Sequence, residues 1–257
     1  MPVRGAELAV YRREGDSPAG MMELVYAHGW GQTHHALLPL AEALQPQARP
    51  LLVDLPGFGG ASPEPPGAWS TADYADAAAE WLAGRGTMRR VWVGYSYGGR
   101  VGLQLAARHP EMLDGLCLIA TPGLPPRHSA AARIRVTVRR LAFRLARRLT
   151  SEGPARERLR ARFGSSDYAQ ATPLMRQVLV KAVNEDLSAA ARAIRLPVLL
   201  IYGDQDRDAP ADIGMRFNAM MPSSRLVVLR GFGHLDIITD GHHQLVQRLG
   251  EFIGELA

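Results

Sequence analysis

Short apolar runs alternate with amphipathic stretches along most of the chain, and this pattern predicts strands that are each followed by a helix. Strand patterns occupy residues 3–13, 21–28, 49–53, 91–93, 115–120, 197–202 and 225–229. Helical patterns occupy residues 34–44, 72 onward, 101–107, 211–220 and 241–256. Apolar strands separated by helices are typical of a mostly parallel sheet with helices on both faces. We therefore predict a single α/β domain over residues 1–257.

The alternation stops between about residues 122 and 194, where the pattern is helical, rich in arginine and without a convincing strand. Ligands bind at the carboxyl ends of the strands in such sheets, so we predict that this stretch is a helical cap over that edge. Phe143 falls on the opposite side of the predicted cap helix from the apolar stripe that begins at Ile134. This second apolar side either lines a substrate pocket or packs within the cap.

The positive charge of the chain is concentrated in the predicted cap. The net charge is +5, but residues 127–162 contain twelve arginines and only two glutamates, which leaves the remainder net acidic. Lys181 is the only lysine, so a composition bias explains the choice of arginine but not its clustering. The cluster is either a solvated helix surface or a surface that receives an acidic partner. Nucleic-acid binding is not expected, because the rest of the chain is acidic and carries no recognition motif.

The chain shows no targeting or membrane signal. The first residues lack the apolar core of a signal peptide, and no apolar run is long enough to span a bilayer. Cys117 is the only cysteine, which excludes an intrachain disulfide. We expect a cytoplasmic protein that does not associate with a membrane.

A serine lies in the turn between the strand at 91–93 and the helix at 101–107. The sequence Gly94-Tyr95-Ser96-Tyr97-Gly98 fits the G-x-S-x-G nucleophile elbow, in which a strained turn exposes the serine hydroxyl. Gly94 and Gly98 suit this turn because a Cβ atom at either position would collide with the backbone. A glycine-rich β–α turn without catalytic function would show the same local pattern, so the partners of Ser96 decide between the two interpretations.

A serine nucleophile needs an adjacent base that a third group orients, and both types of residue follow later strands. Asp204, Asp206 and Asp208 follow the strand at 197–202, and His234 follows the strand at 225–229. Because the carboxyl ends of parallel strands lie at one edge of a sheet, we expect these loops to meet Ser96 there. The order serine, acid, histidine is the one expected when the elbow lies in the middle of the chain.

Taken together, these motifs resemble the α/β-hydrolase family over nearly the whole chain outside the cap. Five motifs occur in the family order: His28-Gly29, Asp54–Gly59, Gly94–Gly99, Gly203–Asp206 and Gly233-His234. The resemblance implies an eight-stranded, mostly parallel sheet with a cap at about 122–194 inserted after the sixth strand. It also implies that Asp206 is the acid and that the backbone N–H groups of Trp30 and Tyr97 form an oxyanion hole.

This resemblance implies a serine hydrolase that cleaves a carboxylic ester through an acyl-enzyme, without a metal or a cofactor. Ser96 would attack the acyl carbonyl, His234 would take its proton, and Asp206 would orient the imidazole. We expect the substrate to contact Trp30, Tyr95, Tyr97, Leu124 and Phe143. The alternatives are a hydrolase that cleaves the carbon–carbon bond of ring-cleavage products and a relative that binds ligands without catalysis.

The remaining histidines favour structural roles. We expect His28 to be a hydrogen-bonding residue of the oxyanion loop and Asp54 to be a turn and packing residue. The pairs His34-His35 and His242-His243 are adjacent residues at helix starts, and adjacent residues do not share a helix face, so no metal site is expected.

A narrower resemblance concerns the substrate. His28-Gly29-Trp30-Gly31 and the segment Val53–Gly59 are similar to the pimeloyl-acyl-carrier-protein methyl ester esterases of biotin synthesis. In those enzymes a basic cap receives an acidic carrier protein. The resemblance implies an acidic acyl carrier protein as a partner at the arginine-rich cap.

Overall fold

The computed structural model describes residues 2–12, 22–59, 62–86, 88–125 and 166–256. The strands within these ranges are β1 (Pro2–Val3), β2 (Ala6–Glu7), β3 (Ala9–Arg12), β4 (Glu23–Ala27), β5 (Arg49–Asp54), β6 (Arg90–Tyr95), β7 (Gly115–Ile119), β8 (Val198–Gly203) and β9 (Ser224–Leu229). The helices are α1 (Leu38–Leu44), α2 (Thr71–Ala83), α3 (Tyr97–Arg108), α4 (Ser166–Gln170), α5 (Pro173–Asn184), α6 (Ser188–Ala193), α7 (Ala211–Asn218) and α8 (His242–Leu256). Single 3₁₀ turns occupy His34–Ala36 and Pro110–Met112.

Seven strands form the main sheet in the order β3-β5-β4-β6-β7-β8-β9. All neighbours are parallel except β3, which pairs antiparallel with β5. The described residues therefore supply seven strands to this sheet, where eight were expected. The stretch at 3–13, expected as one strand, is divided at Arg4 and Gly5, whose positive φ angles of 49° and 75° make a tight turn. That turn pairs β1 with β2 outside the main sheet.

The central strands are buried along their whole length, as the apolar pattern predicts. Every residue of β4, β6, β7 and β8 is buried. Helix α3 packs against β6, and the pairs α2 with α3 and α1 with α8 cover the sheet. The expected fold class, a mostly parallel sheet covered by helices, is confirmed.

Helix α2 begins with a capping box, one residue before the start of the helical pattern in the sequence. Ser70 is the N-cap residue, and its hydroxyl accepts from the N–H of Asp73 while the Asp73 carboxylate accepts from the N–H of Ser70. This reciprocal pair satisfies two backbone donors at the helix start and fixes the direction in which α2 leaves the loop.

The described part of the insertion between β7 and β8 is helical and is attached to the domain by polar contacts. Residues 126–165, with the arginine cluster and Phe143, lie outside the described residues. Arg100 on α3 contacts helix α5, because its guanidinium donates to the carbonyl of Ala182 at 2.6 Å. Just beyond α5, Glu185 accepts from the N–H and the hydroxyl of Thr71 at 3.1 and 2.5 Å. None of the helices in the described ranges is both long and apolar enough to cross a bilayer.

Candidate active site

Ser96 is the single residue between a strand and a helix. Strand β6 ends at Tyr95 and α3 begins at Tyr97, which leaves Ser96 alone in the turn with φ 48° and ψ −104°. A Cβ atom on Gly94 would lie 2.5 Å from the carbonyl oxygen of Gly98, and one on Gly98 would overlap the carbonyl of Ala27. Both glycines are therefore required for the reason that the sequence predicts. A non-glycine residue at positive φ is strained, and here the strain presents the hydroxyl.

Ser96, His234 and Asp206 form one hydrogen-bonded chain. The Ser96 Oγ atom lies 3.0 Å from Nε2 of His234, and Nδ1 of the same ring lies 2.7 Å from Oδ2 of Asp206. Asp204 instead accepts from the N–H of Gly231 at 2.7 Å and joins the two loops. Among the three candidate acids, the structure thus places Asp206 against the histidine.

Asp206 is buried, yet its surroundings favour the carboxylate form. Burial opposes ionisation, but hydrogen bonds from His234 and from the N–H groups of Ala209 and Asp208 outweigh it, so the pKa of Asp206 lies below its ordinary value. The two backbone N–H groups donate to Oδ1 at 2.8 Å each. Oδ2 is therefore free to pair with the imidazole. A negative charge in a fixed position faces Nδ1 of His234, while Nε2 faces Ser96.

The backbone N–H groups of Trp30 and Tyr97 are available beside Ser96. Neither donates to an acceptor within the described ranges, and both residues line the same cavity as Ser96. The Tyr97 N–H is the first of α3, where unpaired N–H groups and the helix dipole favour negative charge. The Trp30 loop is shaped by Gly29, whose N–H donates to Oε1 of Gln32 at 3.0 Å.

His28 and Asp54 support the loops around the site. His28 is fully buried; its Nε2 accepts from the N–H of Leu55 at 3.2 Å, and its Nδ1 lies 2.7 Å from the carbonyl of Gly29. Burial lowers the pKa of His28, which keeps the ring neutral. Asp54 accepts from the N–H of His34 at 2.6 Å and from the hydroxyl of Tyr11 at 3.1 Å. These contacts hold the loop after β4 against the loop after β5.

A cavity of about 610 Å³ opens at Ser96. Three of the expected substrate contacts, Trp30, Tyr95 and Tyr97, line it. Leu124 is buried in the hydrophobic core and is not among the lining residues, and Phe143 lies outside the described residues. The wall also includes Asp208, which the sequence offered as a candidate acid. No sequence motif pointed to the other lining residues Arg100, Pro122, Asp167, Leu179, Ala182, Val183 and Leu235. Arg100 could have been found, because it lies four residues after Ser96 and so shares a helix face with the elbow.

Within the described ranges, the group whose ligand atoms come close enough together for a metal ion is Asp206, Asp208 and His234. Both ring nitrogens of His234 already lie within hydrogen-bond distance of Ser96 and Asp206. The short distances between these ligand atoms are therefore explained by the hydrogen bonds that join Ser96, His234 and Asp206.

The chain belongs to the alpha/beta hydrolase family, whose model matches residues 24–248. It is similar to the pimeloyl-acyl-carrier-protein methyl ester esterase of Yersinia pseudotuberculosis serotype O:1b (strain IP 31758), with 28% identity over 240 residues that cover 86% of this chain and 89% of the relative. The expected family is thereby confirmed.

Two solved structures share the fold. A hydrolase from Pseudomonas aeruginosa PA01 superimposes with a TM-score of 0.73 at 26% identity and covers 97% of this chain and 95% of its own. The enol-lactonase from Burkholderia xenovorans LB400 has a TM-score of 0.74 at 21% identity and covers 98% of each chain. Family membership and the esterase relatives support a hydrolytic, esterase-like enzyme.

Proposed function

We propose that this protein is a serine hydrolase that cleaves a carboxylic ester through an acyl-enzyme formed on Ser96. The observation that carries the proposal is the unbroken chain from the Ser96 hydroxyl through His234 to the buried Asp206 carboxylate. A hydroxyl is a weak nucleophile without such a base, and the strained turn at Ser96 presents it to the cavity. Cofactors and metals have no part in this mechanism.

In the proposed reaction, Ser96 Oγ attacks the ester carbonyl while His234 Nε2 takes its proton. The negative charge that develops on the carbonyl oxygen is stabilised by the N–H groups of Trp30 and Tyr97, each worth about 3 kcal/mol in such sites. His234 then protonates the leaving alcohol, and a water molecule repeats the sequence to release the acid. The Asp206 carboxylate stabilises the imidazolium in both halves.

The relatives support one particular class of substrate, an acyl chain carried by an acidic carrier protein. Those relatives are esterases for the methyl ester of pimeloyl-acyl-carrier protein. Within this proposal, the arginines at 127–162 would receive the acidic carrier. Charge reversal at Arg139, Arg140 and Arg144 should raise the KM for a carrier-linked methyl ester, with a smaller effect at high salt, and leave p-nitrophenyl acetate hydrolysis unchanged. An unchanged KM for the carrier-linked ester would remove the carrier from the proposal.

The central experiment labels the nucleophile. A fluorophosphonate probe should modify the wild-type protein once, at Ser96, and Ser96→Ala should abolish labelling and reduce p-nitrophenyl acetate hydrolysis by at least about 10⁴-fold. Ser223→Ala, at an exposed serine outside the cavity, is the matched control and should behave as wild type.

A protein that binds acyl ligands but is not labelled would be a binding relative. Turnover of a ring-cleavage dienone in preference to every ester would instead favour the carbon–carbon hydrolase.

A further inference from the structure

Arg100 places a buried positive charge in the wall of the cavity that contains Ser96. It lies on α3, one helical turn after Ser96 and about 6 Å along the helix axis, and only 8% of the residue is exposed. The one hydrogen bond that its guanidinium makes within the described ranges is from Nη1 to the carbonyl of Ala182. A guanidinium has five N–H donors, so most of them have no acceptor among the residues that the structure describes.

The nearest carboxylate does not pair with this guanidinium. Glu185 acts on Arg100 through its charge, but both carboxylate oxygens of Glu185 accept hydrogen bonds from Thr71. No ion pair joins Arg100 to a carboxylate in the part of the chain that the structure describes. Burial lowers the pKa of Arg100, which shows that the charged form is held in an unfavourable environment. An anion bound in the cavity would supply the missing partner.

Two acidic residues also line the cavity, on the side of His234. Asp208 lies beside His234 and Asp206, and Asp167 also lines the cavity there. Burial and the charge of Asp208 raise the pKa of Asp167, and the charge of His234 opposes this rise. Neither acid is among the charges that act on Arg100. The cavity therefore has a cationic end beside α5 and an acidic end beside His234.

The mechanism of ester cleavage determines where in the cavity the alcohol portion and the acyl portion of the substrate lie. His234 must reach the leaving oxygen to protonate it, so the alcohol portion lies at the acidic end. The acyl portion then extends toward Arg100, between α3 and the apolar side chains of Leu179 and Val183. An anionic alcohol portion would be repelled by the acids, whereas an anionic acyl portion would meet the guanidinium.

We infer that the substrate is a monoester of a dicarboxylic acid, whose free carboxylate binds Arg100 while its neutral alcohol portion lies beside His234. This inference rests on the proposed ester hydrolysis and names its substrate class. The reaction adds water across the ester bond and yields a dicarboxylate, the alcohol and one proton. A chain attached to a carrier through its far carboxyl group has no free carboxylate, so this substrate class is the alternative to the carrier-linked ester, and the esters compared below distinguish the two.

The test compares three kinds of ester that differ in where they carry a charge. Monomethyl esters of succinate, glutarate, adipate and pimelate carry the charge on the acyl side, methyl pentanoate is neutral, and acetoxyacetate carries the charge on the alcohol side. The best monomethyl ester should exceed methyl pentanoate in kcat/KM by about ten- to a hundred-fold, which is the range of a charge-assisted hydrogen bond. Acetoxyacetate should be poorer than methyl acetate.

Variants of Arg100 separate binding from a purely structural role. In Arg100→Met the ratio of kcat/KM for the monomethyl ester to that for methyl pentanoate should fall to about one, and Arg100→Lys should retain part of the preference. Arg108→Met, the same change at the exposed end of α3, should keep the wild-type ratio. Thermal melting establishes that each variant is folded. If Arg100→Met lowers both activities equally, Arg100 only positions α5 and the inference is wrong.

A binding measurement keeps the inference separate from catalysis. Calorimetry with glutarate, a product that needs no turnover, should show saturable binding to Ser96→Ala that weakens at least tenfold when Arg100→Met is added. Absence of glutarate binding and of any monomethyl ester preference would overturn the inference while leaving ester hydrolysis intact. Glutarate binding in a protein that a fluorophosphonate does not label would instead retain the anion site and overturn the proposed function.

Discussion

The amino and carboxyl ends of the central strands differ in how fully their buried charged and polar groups are paired. At the amino ends of β4 and β6, Glu23 is 1% exposed and accepts from Arg85 and Arg90 at 3.0 Å each. Arg90 also donates to the carbonyl of Gly86, and its backbone N–H donates to Asp114. Except for Nε of Arg85, this network satisfies its buried donors within the chain.

At the carboxyl ends, the donors face a cavity instead of acceptors. The N–H groups of Trp30 and Tyr97 have no acceptor in the described ranges, and Arg100 has one carbonyl. A protein gains stability when buried polar groups are paired, so donors left open beside a nucleophile indicate a ligand that pairs with them. We therefore expect the paired network at the amino ends to contribute stability, and we propose that the substrate binds and reacts at the carboxyl ends.

The largest effect is expected from Asp206→Asn, at the reactive end. The amide cannot stabilise imidazolium and favours the wrong tautomer of His234, so kcat for p-nitrophenyl acetate should fall by about 10⁴-fold. The melting temperature should change far less than the rate. Asp204→Asn is the matched control, because the Asp204 carboxylate accepts from the N–H of Gly231 and not from His234, and it should keep most of the activity. Similar losses in both variants would contradict the assignment of Asp206.

Glu23→Gln tests the stabilising end. Removing this charge leaves Arg85 and Arg90 buried without a carboxylate, which should lower the free energy of unfolding by about 3 kcal/mol in urea titrations. Because Glu23 lies about 13 Å along β4 from the site edge, kcat should stay at the wild-type value. Glu255→Gln, which removes an exposed partner of Arg225, should cost less than about 1 kcal/mol. A loss of kcat without a loss of stability would contradict the division between the two ends.

A smaller effect is expected in the pH dependence of stability. Burial opposes ionisation of Glu23, but Arg85 and Arg90 outweigh it, so its pKa lies below the ordinary value of 4.5. A carboxyl group with a depressed folded-state pKa contributes its full stability above the ordinary pKa and loses it as pH falls through the folded value.

Melting temperatures between pH 7 and pH 3 should therefore fall more steeply for the wild type than for Glu23→Gln. Parallel curves would show that the ion pairs at the amino ends contribute nothing to acid sensitivity. Asp206 has the same sign of shift, so Asp206→Asn should also flatten the acid limb.

Much of the fold was predictable because it depends on local pattern. Apolar runs that are buried on both faces read as strands, and the predicted positions of β6, β7, β8 and β9 agree with the structure to within about a residue or two. The glycines of the elbow were predictable for a steric reason that involves only neighbouring residues. The division of the first strand at Arg4 was not predicted, because a non-glycine residue at positive φ has no clear sequence signal.

The sequence by itself determined the family, the elbow and the candidates for its partners, since short motifs at strand ends encode them locally. The family resemblance already implied Asp206 as the acid, and in the packed chain it is Asp206 and not Asp204 that lies against His234. The burial of Leu124 in the core and the position of Arg100 in the cavity wall became known only from the three-dimensional structure. These outcomes depend on which side chains from distant segments meet and on which charges lose contact with water. Burial and long-range pairing are properties of the packed chain, so no local pattern reports them.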